Sequence, residues 1–213
     1  MANSTQTSKR EQRRQAEAEL RRSDILAAAA TAFAERGFQG AQVAEIANDA
    51  ELPLNAVYAL FKGKEELYEA VIHAAATTVR DRVRGEVDPL TDPREKLLGA
   101  IDALFACFED HEPLLRLYAR STHGLPWRVR QALGPETAEL FVGFQRWLRE
   151  LASEAGRAGL LGSLDPDAVA LTLRGAVLTA AAQWVEEPAD ESPAEAARRI
   201  RAVFEALLDG QGK

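Results

Sequence analysis

Tyr58, Lys62 and Lys64 fall within one short segment, AVYALFKGK, and Asn55 precedes Tyr58 by less than a turn of helix. A phenol and two ammonium groups are donors for phosphate oxygens. A carboxamide can pair with adenine in bidentate fashion, worth about 1–3 kcal/mol against a wrong base. Gln42 adds a donor further upstream, while Leu54 and Ala56 could meet only a thymine methyl. Each polar candidate has a plainer role as well. Tyr58 also suits a half-buried aromatic, Lys64 a helix start and Asn55 a solvated helix face. Cys107 and His111, four apart, would share a metal only if a third ligand such as His123 came round. A core cysteine beside a surface histidine is the simpler reading, and no metal is expected. The chain has no Gly-x-Ser-x-Gly, no dinucleotide fingerprint and no His-Glu-x-x-His. KGKE lacks the upstream Gly and the Ser/Thr of a phosphate loop, and Glu186–Glu187 read as solvated surface. Neither an enzyme nor a cofactor is expected.

Helices must position these residues, because no alternating strand pattern is present and helical spacing is nearly continuous. Ser23 is the expected cap of a first helix over 23–36, with Ile25, Leu26, Ala29, Ala32 and Phe33 inward and Gly37 as its stop. Short helices follow over about 43–49 and 54–61, joined by a turn that carries Leu52. Val57 and Phe61, at i and i+4, anchor the third helix to a core. That arrangement is a helix-turn-helix, with one helix left free for the major groove. A longer helix covers about 64–84. Beyond it, Pro93, Pro113 and Pro135 each suit a first helical turn. Further helices are expected at about 166–187 and from Pro193 to about Asp209. The fold class is all-α, with about nine to ten helices. Residues 1–8 and the tail GQGK read as disordered.

ILAAAATAFAERGFQGAQVAEIANDAELPLNAVYALFKGKEELYEAVI resembles the N-terminal domain of the TetR family of transcriptional regulators, over about residues 22–72. The family pattern is met at Ile25, Leu26, Ala29, Phe33, Gly37, Phe38, Val43, Ile46, Ala47, Tyr58, Phe61, Lys64, Glu65 and Leu67. The resemblance places Gln42, Val43, Ala44, Pro53, Leu54, Asn55, Ala56, Tyr58, Lys62 and Lys64 at or beside the DNA-contacting positions. It implies a DNA-binding domain over 23–68, preceded by a basic, partly disordered arm over 1–22. A helical ligand-binding and dimerisation domain would occupy 69–213. The implied function is a ligand-responsive repressor that acts as a homodimer on a palindromic operator. The alternative is an effector-binding protein of the same fold with weak or lost sequence-specific DNA binding. Several departures motivate that alternative. Ala41 and Gln42 stand where the family commonly has Thr or Ser, and Ala44 where a basic residue is frequent. Glu51 replaces a turn Gly, which puts a non-Gly residue at positive φ. Pro53 replaces a capping Ser, and Leu60 stands where His or Tyr often contacts phosphate.

The family's regulatory domain usually dimerises through its last two long helices. Here Gly175, Thr179 and Gln183 lie at three- to four-residue spacing, and Ala197, Ile200, Phe204 and Leu207 repeat along the last helix. With a two-fold mate they would form a four-helix bundle; ordinary intrachain packing is the other reading. For a small-molecule pocket the candidates are Phe105, Phe108, Tyr118, Trp127, Phe144, Trp147 and Arg174. The aromatic residues also suit core positions. Arg174 is either a polar anchor for a ligand or the partner of an Asp or Glu.

Charge follows the same division. The 213 residues carry a net charge of -7, yet residues 1–84 are neutral and the acidity lies wholly beyond them. Residues 1–22 hold six basic and three acidic groups, an arm that either touches phosphates or stays solvated. The single cysteine excludes an intramolecular disulfide. No apolar run near the ~20 residues of a membrane helix is read, nor a signal peptide, so a cytosolic, membrane-free setting is expected.

Overall fold

In a computed structural model of the chain, residues 9–113, 134–187 and 191–210 are described. They form eight helices and, among the described residues, no strand. The class is all-α, as expected. The count is below the nine or ten read from the sequence, and the stretches after Pro113 and around Trp127 lie outside the described residues. The chain divides into two compact units, Met1–Val71 and Ile72–Lys213.

In the first unit, α1 spans Lys9–Gly40, α2 Val43–Asp49 and α3 Leu54–Leu60. Ser23 is therefore not a cap: it lies inside α1, and the arm is helical from Lys9. The sequence KREQRRQAEAELRR is built almost wholly from strong helix formers. Propensity carries this segment where no apolar stripe does. α1 is broken at Gly37, whose φ of 68° and ψ of 173° belong to a region essentially confined to glycine. Phe33, Phe38 and Tyr68 cluster behind that corner, with Tyr68 edge-on to both and its centroid 5.0 Å from that of Phe33. Arg36 ties α1 to α2 through Glu45 and, at 3.5 Å, Asp49.

The turn between α2 and α3 takes the shape its sequence demands. Glu51 has φ 55°, the one positive-φ non-Gly residue among those described. Leu52 N–H donates to Ala47 C=O (2.9 Å) and Glu51 N–H to Asn48 C=O (2.9 Å). This double closure is a Schellman motif, and it costs Glu51 the strain that Gly would avoid.

The second unit holds the rest of α4 (Lys64–Val87), α5 (Pro93–Asp110), α6 (Pro135–Arg157), α7 (Pro166–Glu186) and α8 (Pro193–Asp209). Prolines open the last four. Asp92 caps α5 by accepting from Arg94 N–H (2.9 Å), and Ser192 with Glu195 forms a capping box on α8. α5 packs on α8, and α6 on α7. Leu97, Leu98, Ile101, Leu104, Phe105 and Phe108 supply the α5 side of the core. Trp147 is buried there, and its indole N–H donates to Asp88 (2.9 Å) beneath the Arg84 guanidinium. One sequence expectation needs correction. α7 is 21 residues long, and an 18-residue stretch of it has a mean hydropathy of 1.3, long and apolar enough, by length and composition alone, to cross a membrane. Alanines dispersed among its larger apolar residues conceal this when only a long run is sought. Asp167, Arg174 and Glu186 interrupt the helix.

Candidate nucleic-acid interface and apolar cavity

Two sides of α3 differ sharply. Val57 and the capping Phe61 are buried in the first unit, while Leu54, Asn55 and Tyr58 stand exposed, Tyr58 at 51%. A surface phenol on a short helix whose other side is anchored is placed to reach a phosphate. Pro53 is the cap of α3 and, lacking a side-chain oxygen, makes no capping hydrogen bond. Gln42 precedes α2 with its side chain free of any cap role, and Ala44 is exposed beside it. Lys62 is exposed, and its backbone N–H donates to Glu66 (2.8 Å). Val43 and Ala56 are half-buried, turned partly into the unit.

Lys64 makes its contacts within its own unit. Its ammonium donates to the carbonyls of Ala41 (3.2 Å) and Gln39 (3.4 Å) and lies 4.7 Å above the Phe38 ring. It closes the α1–α2 corner from the start of α4, a clamp inside the unit. Arg22, similarly, sets its guanidinium 4.8 Å over Phe61. Spacing gave no sign of either contact, because both cross between helices.

In the second unit, α4, α5, α6 and α7 enclose a cavity whose water-accessible core is about 110 Å³. Of the pocket candidates named from the sequence, Phe108, Phe144 and Arg174 line it. Phe105 does not: it is buried in the core, edge-on to Phe108 at 5.9 Å. Trp147 is likewise in the core, 5.2 Å from Phe144. Tyr118 and Trp127 lie outside the described residues. Sequence reading missed the α4 wall of Ile72, Ala75, Ala76, Val79 and Arg80, and the α6 residues Leu140 and Gln145. A stripe at helical spacing, with one arginine in it, was the available sign on α4.

Cys107 and His111 both line this cavity; among the described residues no group of three metal-type side chains occurs, and His123 lies outside them. Burial pushes the Cys107 thiol above its ordinary pKa. Among the described residues the lining contains two arginines and no carboxylate. Arg80 is held by Asp81 at 2.7 Å. Arg174 is half-buried and has no ion pair among the described residues. The site is an apolar pocket whose wall carries Arg174, unpaired among the described residues.

On α7, Gly175, Thr179 and Gln183 are all exposed, in line with Leu171 at 60%. On α8 the expected set divides. Ala197, Ile200 and Phe204 are buried in the chain's own core, and Leu207 is half-buried against it. Their spacing marked a buried face, and the protomer itself buries it. The exposed face of α8 carries Ala202, Val203 (61%) and Ala206.

These features define a two-unit helical protein with a helix-turn-helix at its N-terminus. Residues 25–71, in the first unit, match the family described as bacterial regulatory proteins, tetR family. A transcriptional repressor, KstR2 of Mycolicibacterium smegmatis, is 34% identical over 98 residues, 46% of this chain and 48% of that protein. The match thus spans about half the length of such relatives. Among solved structures, FadR of Bacillus subtilis in complex with stearoyl-CoA superposes with a TM-score of 0.70 at 21% identity, covering 88% of this chain and 98% of that one. AibR, in complex with isovaleryl coenzyme A and operator DNA, gives 0.70 at 20% identity over 86% and 97%. Those two likenesses are of fold.

Proposed function

We propose that the chain is a homodimeric, ligand-responsive transcriptional repressor that binds a palindromic operator. The observation that carries this reading is the exposed face of α3, Leu54, Asn55 and Tyr58, on a helix anchored by Val57 and Phe61 within the tetR-family match. Each subunit places α3 in the major groove, with the two helices about one DNA turn, roughly 34–36 Å, apart. Tyr58, Lys62 and backbone amides position the chain on phosphates, and Asn55 reads a base. The repressor named above supports the sign of the effect.

The second copy docks on the exposed face of α7 and α8. Leu171, Gly175 and Thr179 on α7 and Val203 on α8 give an apolar, close-packing surface, and only 39% of the apolar window of α7 is buried within the chain. The effector occupies the second unit's cavity. Its walls suit an apolar body, and Arg174 suits an anionic group; the stearoyl and isovaleryl coenzyme A of the two solved neighbours have both. An effector that favours a differently spaced pair of recognition helices releases DNA by population shift.

A duplex selected by the protein from a random library, used in competition shift assays, tests the DNA reading. Tyr58→Phe is expected to weaken all sequences alike, and Asn55→Ala to relax selectivity at one position. Effector binding without any sequence-selective DNA binding refutes the repressor and leaves the effector-binding alternative. Titration with a saturated acyl coenzyme A tests the cavity. Arg174→Met is expected to weaken binding about 10-fold or more, from the loss of one charged hydrogen bond. Unchanged affinity refutes that role.

A further inference from the structure

The first four turns of α1 touch little of their own protein. Every residue from Lys9 to Arg21 is exposed, and the segment has no apolar face to bury. Yet its charges are sorted. At 3.6 residues per turn, Lys9, Arg10, Arg13, Arg14 and Arg21 fall within an arc of about 140°. Glu17 is the one acid in that arc, and it lies 3.9 Å from Arg21. Glu11 and Glu19 project from the opposite side. A solvated helix mixes its charges for i,i+4 pairing; this one gathers a positive stripe in a chain whose total is -7.

The arm also begins at a telling place. Arg22 packs its guanidinium on Phe61, the residue that ends α3. From there α1 runs back for 13 residues, about 20 Å of helix. The arm is therefore rooted beside the C-terminal end of α3, where Lys62 is exposed, while its stripe, on the same wheel, turns about 150° away from Arg22.

We propose that the helical arm Lys9–Arg22 is a second DNA-contacting surface, laying its basic stripe along the phosphate backbone beyond the base pairs that α3 reads. This rests on the DNA-binding reading above and adds an element to it. Duplex DNA offers one negative charge per about 1.7 Å of axis, so a 20 Å helix spans enough phosphates for all five basic groups. With few cations on α2 and α3, the arm supplies much of the electrostatic binding. It confers affinity without sequence preference, since phosphate contacts carry none.

The test compares the full chain with a variant carrying Arg10→Gln, Arg13→Gln, Arg14→Gln and Arg21→Gln. Glutamine keeps helix propensity, and circular dichroism and melting check that the fold persists. The probe is the duplex selected by the parent protein, in one form with 15-base-pair flanks and in another trimmed to the selected site. On the flanked duplex the variant is expected to bind at least tenfold more weakly in dilute salt. Its log affinity against log salt flattens by roughly 0.9 for each phosphate that the arm no longer neutralises. On the trimmed duplex the difference shrinks, and Arg→Lys at the same positions restores flanked binding.

An unchanged salt slope overturns the proposal, as does an equal loss on both duplexes. A change in oligomeric state caused by the glutamines also overturns it, by assigning the arm to a contact between copies. If selection enriches no sequence, the operator reading fails, and the same slope comparison on calf-thymus DNA still decides the arm.

Discussion

Lys64 offers two incompatible accounts of one side chain, and Lys64→Met separates them. In the structure its ammonium donates to two carbonyls, at 3.2 and 3.4 Å, and faces the Phe38 ring at 4.7 Å. Charged hydrogen bonds contribute about 1.5–3 kcal/mol each when well formed and shielded. These two are long and half-exposed, so about 1 kcal/mol is reasonable for the pair, and the cation–π contact adds about 0.5 kcal/mol. Methionine keeps the aliphatic stem and helix propensity, so the substitution isolates the head group. The expected loss of about 1.5 kcal/mol lowers the melting temperature by about 3–6 °C if the chain melts as one, and by more if the N-terminal unit melts alone. Calorimetry reads the shift, and salt titration of DNA binding by the folded variant shows whether the ammonium meets a phosphate. An unshifted melting temperature with a salt slope reduced by roughly 0.9 refutes the clamp and makes Lys64 a phosphate ligand.

Three further outcomes follow from particular residues. Glu51→Gly removes left-handed strain of about 1–2 kcal/mol and adds unfolded-state entropy of about 0.4–1 kcal/mol, so chemical denaturation should show a net gain of about 0.5–1 kcal/mol. Cys107 is wholly buried with its pKa raised; a thiol reagent at pH 8 should label it slowly in the native protein and rapidly in denaturant, and an occupant of the cavity should slow native labelling further. Glu195 accepts from the backbone and hydroxyl of Ser192, and its pKa is lowered from the ordinary 4.5. A depressed carboxylate stabilises the fold above its unfolded value and loses that effect as pH falls through the folded one. Ser192→Ala should therefore lower the melting temperature at pH 7, and its pH-dependent part should fade below 4.5.

The helix-turn-helix was legible because three kinds of signal agreed there. The apolar pair Val57 and Phe61 set the buried side of α3, Leu52 marked the turn, and Glu51 stood where positive φ was required. Proline openings at 93 and 135 were legible for the same local reason. Other features were hidden by physics that spacing does not carry. The helix over residues 9–22 has no apolar period, and only propensity announces it. Ala197, Ile200 and Phe204 show that a period marks a buried face without saying what buries it. The cavity wall of Ile72, Ala76 and Val79 makes a related point. An apolar stripe reads alike whether it meets side chains or open space.

Gly37 selects for handedness rather than size. A Cβ added there meets nothing within 4 Å, yet φ 68° with ψ 173° excludes an L side chain. The mirror image of that conformation is extended backbone, open to almost any residue of opposite chirality. In a chemically synthesised chain, D-alanine at this corner would suit the backbone angles and narrow the unfolded ensemble, while L-alanine would meet open space yet strain the backbone. The bend in α1 is thus a stereochemical filter, built into a position that packing leaves empty.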